Sequence, residues 1–214
     1  MKFLSYTISS STPTYGNRYT FNIKKMSSIE NGDIANDSFI STTVHVGTHI
    51  DLPFHFFENG QTIEDFPSQY WFFNKPLFIE IKPINLIIYD EIIKHLNNYN
   101  DENYDILIIK TGSCYFRETD QYSLYNYGFS ADLYYYLIDK FPKIRVFGFD
   151  SISISSFQNR MEGRKAHKTF LNPAKPILLL EDMDLRDIST LNKIIVAPLR
   201  IANCDGLPCT VFGE

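Results

Sequence analysis

Three of the five histidines in this 214-residue chain fall within eleven positions, His45-Val-Gly-Thr-His49-Ile-Asp51-Leu-Pro-Phe-His55. Asp51 stands between them. Imidazole nitrogens and a carboxylate are donors suited to Zn²⁺, and also to Mn²⁺ or Fe²⁺. A bound divalent ion lowers the pKa of its water from 15.7 to about 7. It also stabilises negative charge developing on a carbonyl oxygen. Such a cluster points to a metal site, and an ion held there could activate water toward a carbonyl carbon. Imidazole itself titrates near physiological pH, which suits one of the three rings to carrying a proton.

These side chains meet only if the chain bends. All four occupy odd-numbered positions, which an extended strand turns to one face. A straight strand would nevertheless spread His45 and His55 roughly 33 Å apart, at about 3.3 Å per residue. Gly47 and Pro53 supply two places to turn, one by its freedom and one by its fixed φ. A helix would also bring His45 and His49 together, one turn apart. Pro53 and the β-branched run before it disfavour a long helix. Several imidazoles and a carboxylate this close together are costly to bury without a partner.

The surrounding elements read as strands mixed with helices. Phe3 to Ser9 and the β-branched stretch Phe39 to Gly47 are expected strands. So are Pro76 to Ile81, Asp105 to Lys110, Ile144 to Phe149, Pro176 to Leu180, Ile194 to Ala197 and Cys209 to Phe212. Ile87 to Leu96 reads as a helix, acidic at its start and basic at its end. Ser130 to Lys140 reads as a second helix capped by its serine. This alternation predicts an α/β class in a single domain spanning residues 1–214.

The bulk properties exclude other roles. A formal net charge of −5 argues against non-specific nucleic-acid binding. No apolar run approaches the roughly 20 residues that span a bilayer. The start, Met1-Lys-Phe-Leu-Ser-Tyr, lacks the apolar core of a signal peptide. Three cysteines, Cys114, Cys204 and Cys209, an odd count without paired spacing, do not suggest a disulfide framework. The expectation is a soluble cytoplasmic protein with no membrane or nucleic-acid partner.

The signature His45-x-Gly47-Thr48-His49-x-Asp51-x-Pro53-x-His55 resembles that of the cyclase family, which includes bacterial kynurenine formamidase and isatin hydrolase. Further segments are similar: Gly148-Phe-Asp150-Ser151, Ala166-His167, Pro176 to Glu181, Ala197-Pro198-Leu199 and Asp205-Gly-Leu-Pro208. The resemblance implies a mixed β-sheet or flattened β-barrel core with flanking helices, a swivelling β/β/α-like arrangement. It implies a metal-dependent hydrolase of a small-molecule amide, lactam or lactone, similar to an arylformamidase. It also implies one or two divalent ions per chain, Zn²⁺ first and Mn²⁺ as the alternative, and a homodimer or homotetramer.

The same resemblance implies residue roles. His45, His49 and Asp51 would hold one ion, with Asp51 reaching a second. His167 would hold that second ion, Glu181 would bridge both, and His55 would carry the proton. Asp182, next to Glu181, is an alternative for the late carboxylate. Tyr15, in Thr12-Pro13-Thr-Tyr15-Gly16, falls where formamidases have a substrate-binding Trp. Two rival readings are a cyclase or dehydratase acting on a small carbonyl compound, and a metal- or ligand-binding protein without turnover.

Overall fold

The computed structural model describes residues 1–214. In chain order its strands are β1 (Lys2–Phe3), β2 (Asn22–Ser27), β3 (Asp37–Ser41), β4 (His49–Asp51), β5 (Phe72–Phe73), β6 (Pro76–Glu80) and β7 (Ile87–Ile88). They continue with β8 (Ile106–Lys110), β9 (Gly128–Phe129), β10 (Val146–Phe149), β11 (Leu178–Glu181), β12 (Ile194–Pro198) and β13 (Gly206–Gly213). The α-helices are α1 (Asp90–Leu96), α2 (Asp120–Ser123), α3 (Asp132–Lys140) and α4 (Arg160–Phe170).

The apolar runs without alternation form the parallel part of the sheet. β6, β8, β10 and β11 pair parallel in that spatial order. Every residue of β8 and β10 is buried, as expected of strands covered on both faces. The sheet then turns antiparallel, through β4 to β13, β12 and β5, with β1 also on β13. The two ends of this path, β5 and β6, are separated in sequence only by Asn74 and Lys75. Two edges joined by so short a link force the sheet to curl back on itself. The result is the mixed, nearly closed sheet expected for an α/β chain of this kind, with few helices around it.

β4 is the strand that matters most for the site. It lies between β11 and β13, with all three residues buried. It is short because both predicted bending points bend. Gly47 takes φ +62° just before it, and Pro53 opens a 3-10 turn, Pro53–His55, just after it.

Three sequence expectations differ from the structure. Phe3 to Ser9 pairs as a strand only at Lys2–Phe3, after which Ser5 makes a lone bridge to Met183. The strand expected over Phe39 to Gly47 ends at Ser41. It pairs with β2 as an exposed two-stranded hairpin outside the main sheet. The helix expected from Ile87 starts at Asp90, because Ile87–Ile88 pairs with β9. The other expected elements lie within a few residues of their places. The serine start of α3 is visible as Asp132 N–H donating to Ser130 Oγ at 3.2 Å.

Candidate metal centre

Strand register gathers the first three groups. His49 and Asp51 are alternate residues of β4 and so share a face. Glu181, the last residue of β11, is the cross-strand partner of His49 and points the same way. α4 brings His167 in from above on its buried face, between Gly163 and Phe170. Phe56 stacks on the His167 ring, 4.8 Å between centroids at 20°. His167 is thus buried on the inner face of α4.

Two imidazoles flank two carboxylates. His49 Nε2 lies 3.4 Å from Asp51 Oδ1 and 3.4 Å from Glu181 Oε2. His167 Nε2 lies 3.4 Å from Asp51 Oδ2 and 3.9 Å from Glu181 Oε1. Each carboxylate thus offers one oxygen to each imidazole. The outward nitrogens are already committed: His49 Nδ1 donates to Gly47 O at 2.8 Å, and His167 Nδ1 to Gly163 O at 2.9 Å. A backbone carbonyl on one ring nitrogen is the usual way to aim the other at a metal. The Nε2–carboxylate spacings exceed the 2.7–3.2 Å of a good N–H···O bond. They match the edge of a tetrahedron, about 3.3 Å when donors sit about 2.0–2.1 Å from the ion. The donor set fits a divalent cation.

Glu181 is also held from behind, by Ile154 N–H at 2.8 Å and Ser153 Oγ at 3.4 Å. Asp182 serves another purpose. Its carboxylate accepts two hydrogen bonds from Arg117, at 2.8 and 2.6 Å, and one from the Tyr122 hydroxyl. Of the two neighbouring acids, only Glu181 reaches the imidazoles. Asp150, the buried acid of the Gly148-Phe-Asp-Ser segment, accepts from the Thr111 and Gly112 amides and fastens that turn.

His45 and His55 form a second layer above Asp51. His45 Nδ1 lies 2.8 Å from Asp51 Oδ1 and its Nε2 lies 2.8 Å from Asp205 Oδ2. His55 Nδ1 meets the same Asp205 oxygen at 2.7 Å, and its ring stands 4.3 Å from that of His45. His55 Nε2 has no protein partner and the residue lines the cavity beside the cluster. The two residues that a straight strand would hold far apart are ring neighbours. Gly206 makes room for this: a Cβ there would come within 2.5 Å of His45 Cε1.

Asp205 is the participant that sequence reasoning left without a role. It precedes β13, and the β13–β4 pairing carries it to the two histidines. Hydrogen bonds from His45 and His55 hold its carboxyl below the usual carboxylate range. Burial disfavours charge on His45, yet the Asp51 charge and hydrogen bonds from Asp205 and Asp51 outweigh it, raising its pKa to about 9. His49 and His167 are likewise buried, and likewise raised by Asp51 and Glu181.

These shifts give a pH prediction for metal-free protein. His45 titrates near 6.5 when unfolded and about 9 when folded, so its contribution is full below pH 6.5 and lost as pH rises through about 9. The melting temperature of chelator-treated protein is expected to fall over that interval. Added divalent ion is expected to reverse the trend, because it binds proton-free imidazoles. Thermal melts with and without chelator check this, and a metal-free melting temperature that rises with pH would contradict it.

The cavity over the cluster measures about 330 Å³. Its lining includes His45, His49, Asp51, His55, His167 and Glu181, with Tyr15 on the facing wall. The fold and this cluster define a class: a nearly closed mixed sheet carrying a carboxylate–imidazole centre beside a small-molecule cavity. Residues 3–156 match the family model described as "Putative cyclase". The chain belongs to the cyclase family.

Relatives align over most of the chain. The kynurenine formamidase of Bacillus cereus (strain ATCC 10987 / NRS 248) is 26% identical over 184 residues, covering 84% of this chain and 79% of its own. Cyclase-like protein 2 of Oryza sativa subsp. japonica is 25% identical over 199 residues, covering 87% and 68%. A solved structure described as a potential metal-dependent hydrolase with cyclase activity superposes with a TM-score of 0.76 at 25% identity, covering 99% and 96%. Isatin hydrolase A from Labrenzia aggregata has the same fold, with a TM-score of 0.82 at 20% identity, covering 99% and 92%.

Proposed function

We propose that this chain is a metal-dependent hydrolase of a small-molecule amide, lactam or lactone, with an arylformamide as the first substrate to try. The observation that carries the reading is the pair of Nε2 atoms, on His49 and His167, aimed at opposite oxygens of Asp51 and Glu181. His45, His49, Asp51 and Glu181 would hold one ion, and His167, Asp51 and Glu181 a second, with Zn²⁺ or Mn²⁺ the candidates. When bound, such an ion acidifies water and polarises a carbonyl.

The chain's own residues supply the rest. Asp205 fixes the His55 ring through Nδ1, so Nε2 faces the cavity and can take a proton and return it to the leaving nitrogen. The Gly47 and Gly163 carbonyls hold the His49 and His167 rings through Nδ1, so little reorganisation accompanies the reaction. Phe56 and Ile152 add apolar wall to the cavity. The relatives named kynurenine formamidase and isatin hydrolase support an amide or lactam carbonyl as the target.

The test is hydrolysis of N-formylkynurenine and of isatin, before and after exhaustive chelation. Turnover is expected with product gaining one water by mass, lost on chelation and restored by divalent ion. Full activity after complete metal removal would refute the reading. Loss of water from substrate would favour a dehydratase instead.

We further propose self-association into a dimer or tetramer. The β2–β3 hairpin exposes Ile23, Met26, Phe39 and Ile40, an apolar surface of the kind that association covers. Light scattering would report it, and a monomer at micromolar concentration would count against it. No helix is long and apolar enough to cross a membrane. All three cysteines are free, which suits the reducing cytoplasm proposed as its location.

A further inference from the structure

The cavity carries three guanidinium groups that nothing in the protein neutralises. The chain has seven arginines. Arg117, Arg145 and Arg186 pair with Asp182, Asp105 and Asp184. Arg18, Arg160 and Arg164 instead line the cavity. None of these three has a carboxylate within 4.0 Å. The acids of the cavity are engaged elsewhere: Asp51 and Glu181 by imidazoles, Asp182 by Arg117.

The three converge from two walls. Arg160 and Arg164 are one turn apart on α4, and His167 follows three residues later, so one helix face carries both guanidiniums and the imidazole. Arg18 comes from the facing loop, its guanidinium carbon 6.0 Å from the centre of the Phe157 ring. Tyr15, in the same loop, packs edge-on to that ring at 5.4 Å. The Tyr15 hydroxyl is shielded from water and has no hydrogen-bond partner. Burial raises the Tyr15 phenol, while Arg160, Arg18 and Arg164 each oppose the rise, so all three guanidiniums act on one oxygen. An orphan donor surrounded by unpaired cations is a site lacking its anion.

We propose that the substrate carries an anionic group, carboxylate or phosphate, remote from the scissile bond. Arg160 and Arg164 hold it from one wall, Arg18 from the other, and the Tyr15 hydroxyl donates to it. This rests on the hydrolase reading of the same cavity. The carboxylate–imidazole cluster takes the reacting carbonyl, and the arginines take the other end, so the site is polar along one axis. A neutral amide would leave three guanidiniums unpaired, and a zwitterion would pair them only through its carboxylate. A net anion satisfies them, with arginine's planar fork suited to a carboxylate or phosphate.

The test compares metal-loaded wild type with the Arg160→Gln/Arg164→Gln double variant; both arginines are exposed, so the fold is not at stake. The first readout is kcat/KM on 4-formamidobenzoate, whose carboxylate lies across the ring from the formamide, against neutral formanilide. The second, independent of turnover, is calorimetric binding of phthalate, with inorganic phosphate as competitor to tell a phosphate site from a carboxylate site. Wild type is expected to prefer the anionic formamide by at least about tenfold, and the variant to lose most of that preference and bind phthalate at least about tenfold more weakly. Equal rates on both formamides, or phthalate binding unchanged in the variant, would overturn the proposal. Phthalate binding that weakens in the variant, with no hydrolysis of either formamide, would keep the anion site and remove the hydrolase reading. Absence of both hydrolysis and phthalate binding would remove both.

Discussion

Asp51→Asn is expected to strip the protein of tightly bound metal and, with it, of turnover. Groups that merely orient metal ligands cost about 10–100-fold in affinity or activity when removed. Asp51 does more, since its two oxygens face His49 and His167 separately and His45 closes on one of them. The loss should therefore exceed about a hundredfold in both metal affinity and kcat/KM. Glu181→Gln should behave alike, because it too gives one oxygen to each imidazole. Asp182→Asn is the contrasting case. It leaves the cluster intact but deprives Arg117 of its buried partner, which typically costs about 3–5 kcal/mol of stability. Metal analysis and thermal melts on the three variants check this. An Asp182 variant that loses metal while the Glu181 variant keeps it would reverse the assignment.

His55→Ala is expected to keep metal and lose turnover, by about 10²–10⁴-fold in kcat, the usual contribution of a positioned proton carrier. His55 touches Asp205 and not the Asp51–Glu181 pair, and its Nε2 has no protein partner. Asp205→Asn should cost less, because the asparagine oxygen still accepts from His55 Nδ1. Steady-state kinetics distinguishes the two variants: Asp205→Asn should keep part of the turnover that His55→Ala loses. Metal content decides between roles, since His45, Asp51 and His55 also lie close enough together to form a ligand group. A His55→Ala protein without metal would make His55 a ligand.

Much of the centre was legible in the sequence because its spacing is local. His45, His49, Asp51 and His55 lie on one segment, and the residue types that allow its bends, Gly47 and Pro53, are readable as such. The buried parallel strands were legible for a similar reason, being continuous apolar runs such as Ile106 to Ile109. Asp205 was not, because its contacts to His45 and His55 arise from pairing across about 150 residues of chain. Nor was α4: Arg160-Met-Glu-Gly-Arg-Lys offers few apolar positions, and its packed face depends on Gly163, Ala166 and the buried His167. The β2–β3 hairpin escaped notice because it buries almost nothing, so no alternation of apolar and polar residues marks it. The β-branched residues Thr42 to Val44 extended the apparent strand past Ser41, where the chain in fact leaves its pairing to deliver His45.

The most direct measurement is an anomalous difference map from crystals of active protein grown with Mn²⁺ or Zn²⁺. Density is expected between Asp51 and Glu181, within ligand distance of His49 Nε2, with a second peak on the His167 side if both half-sites fill. A catalytically active crystal with no anomalous density in that gap would contradict the account.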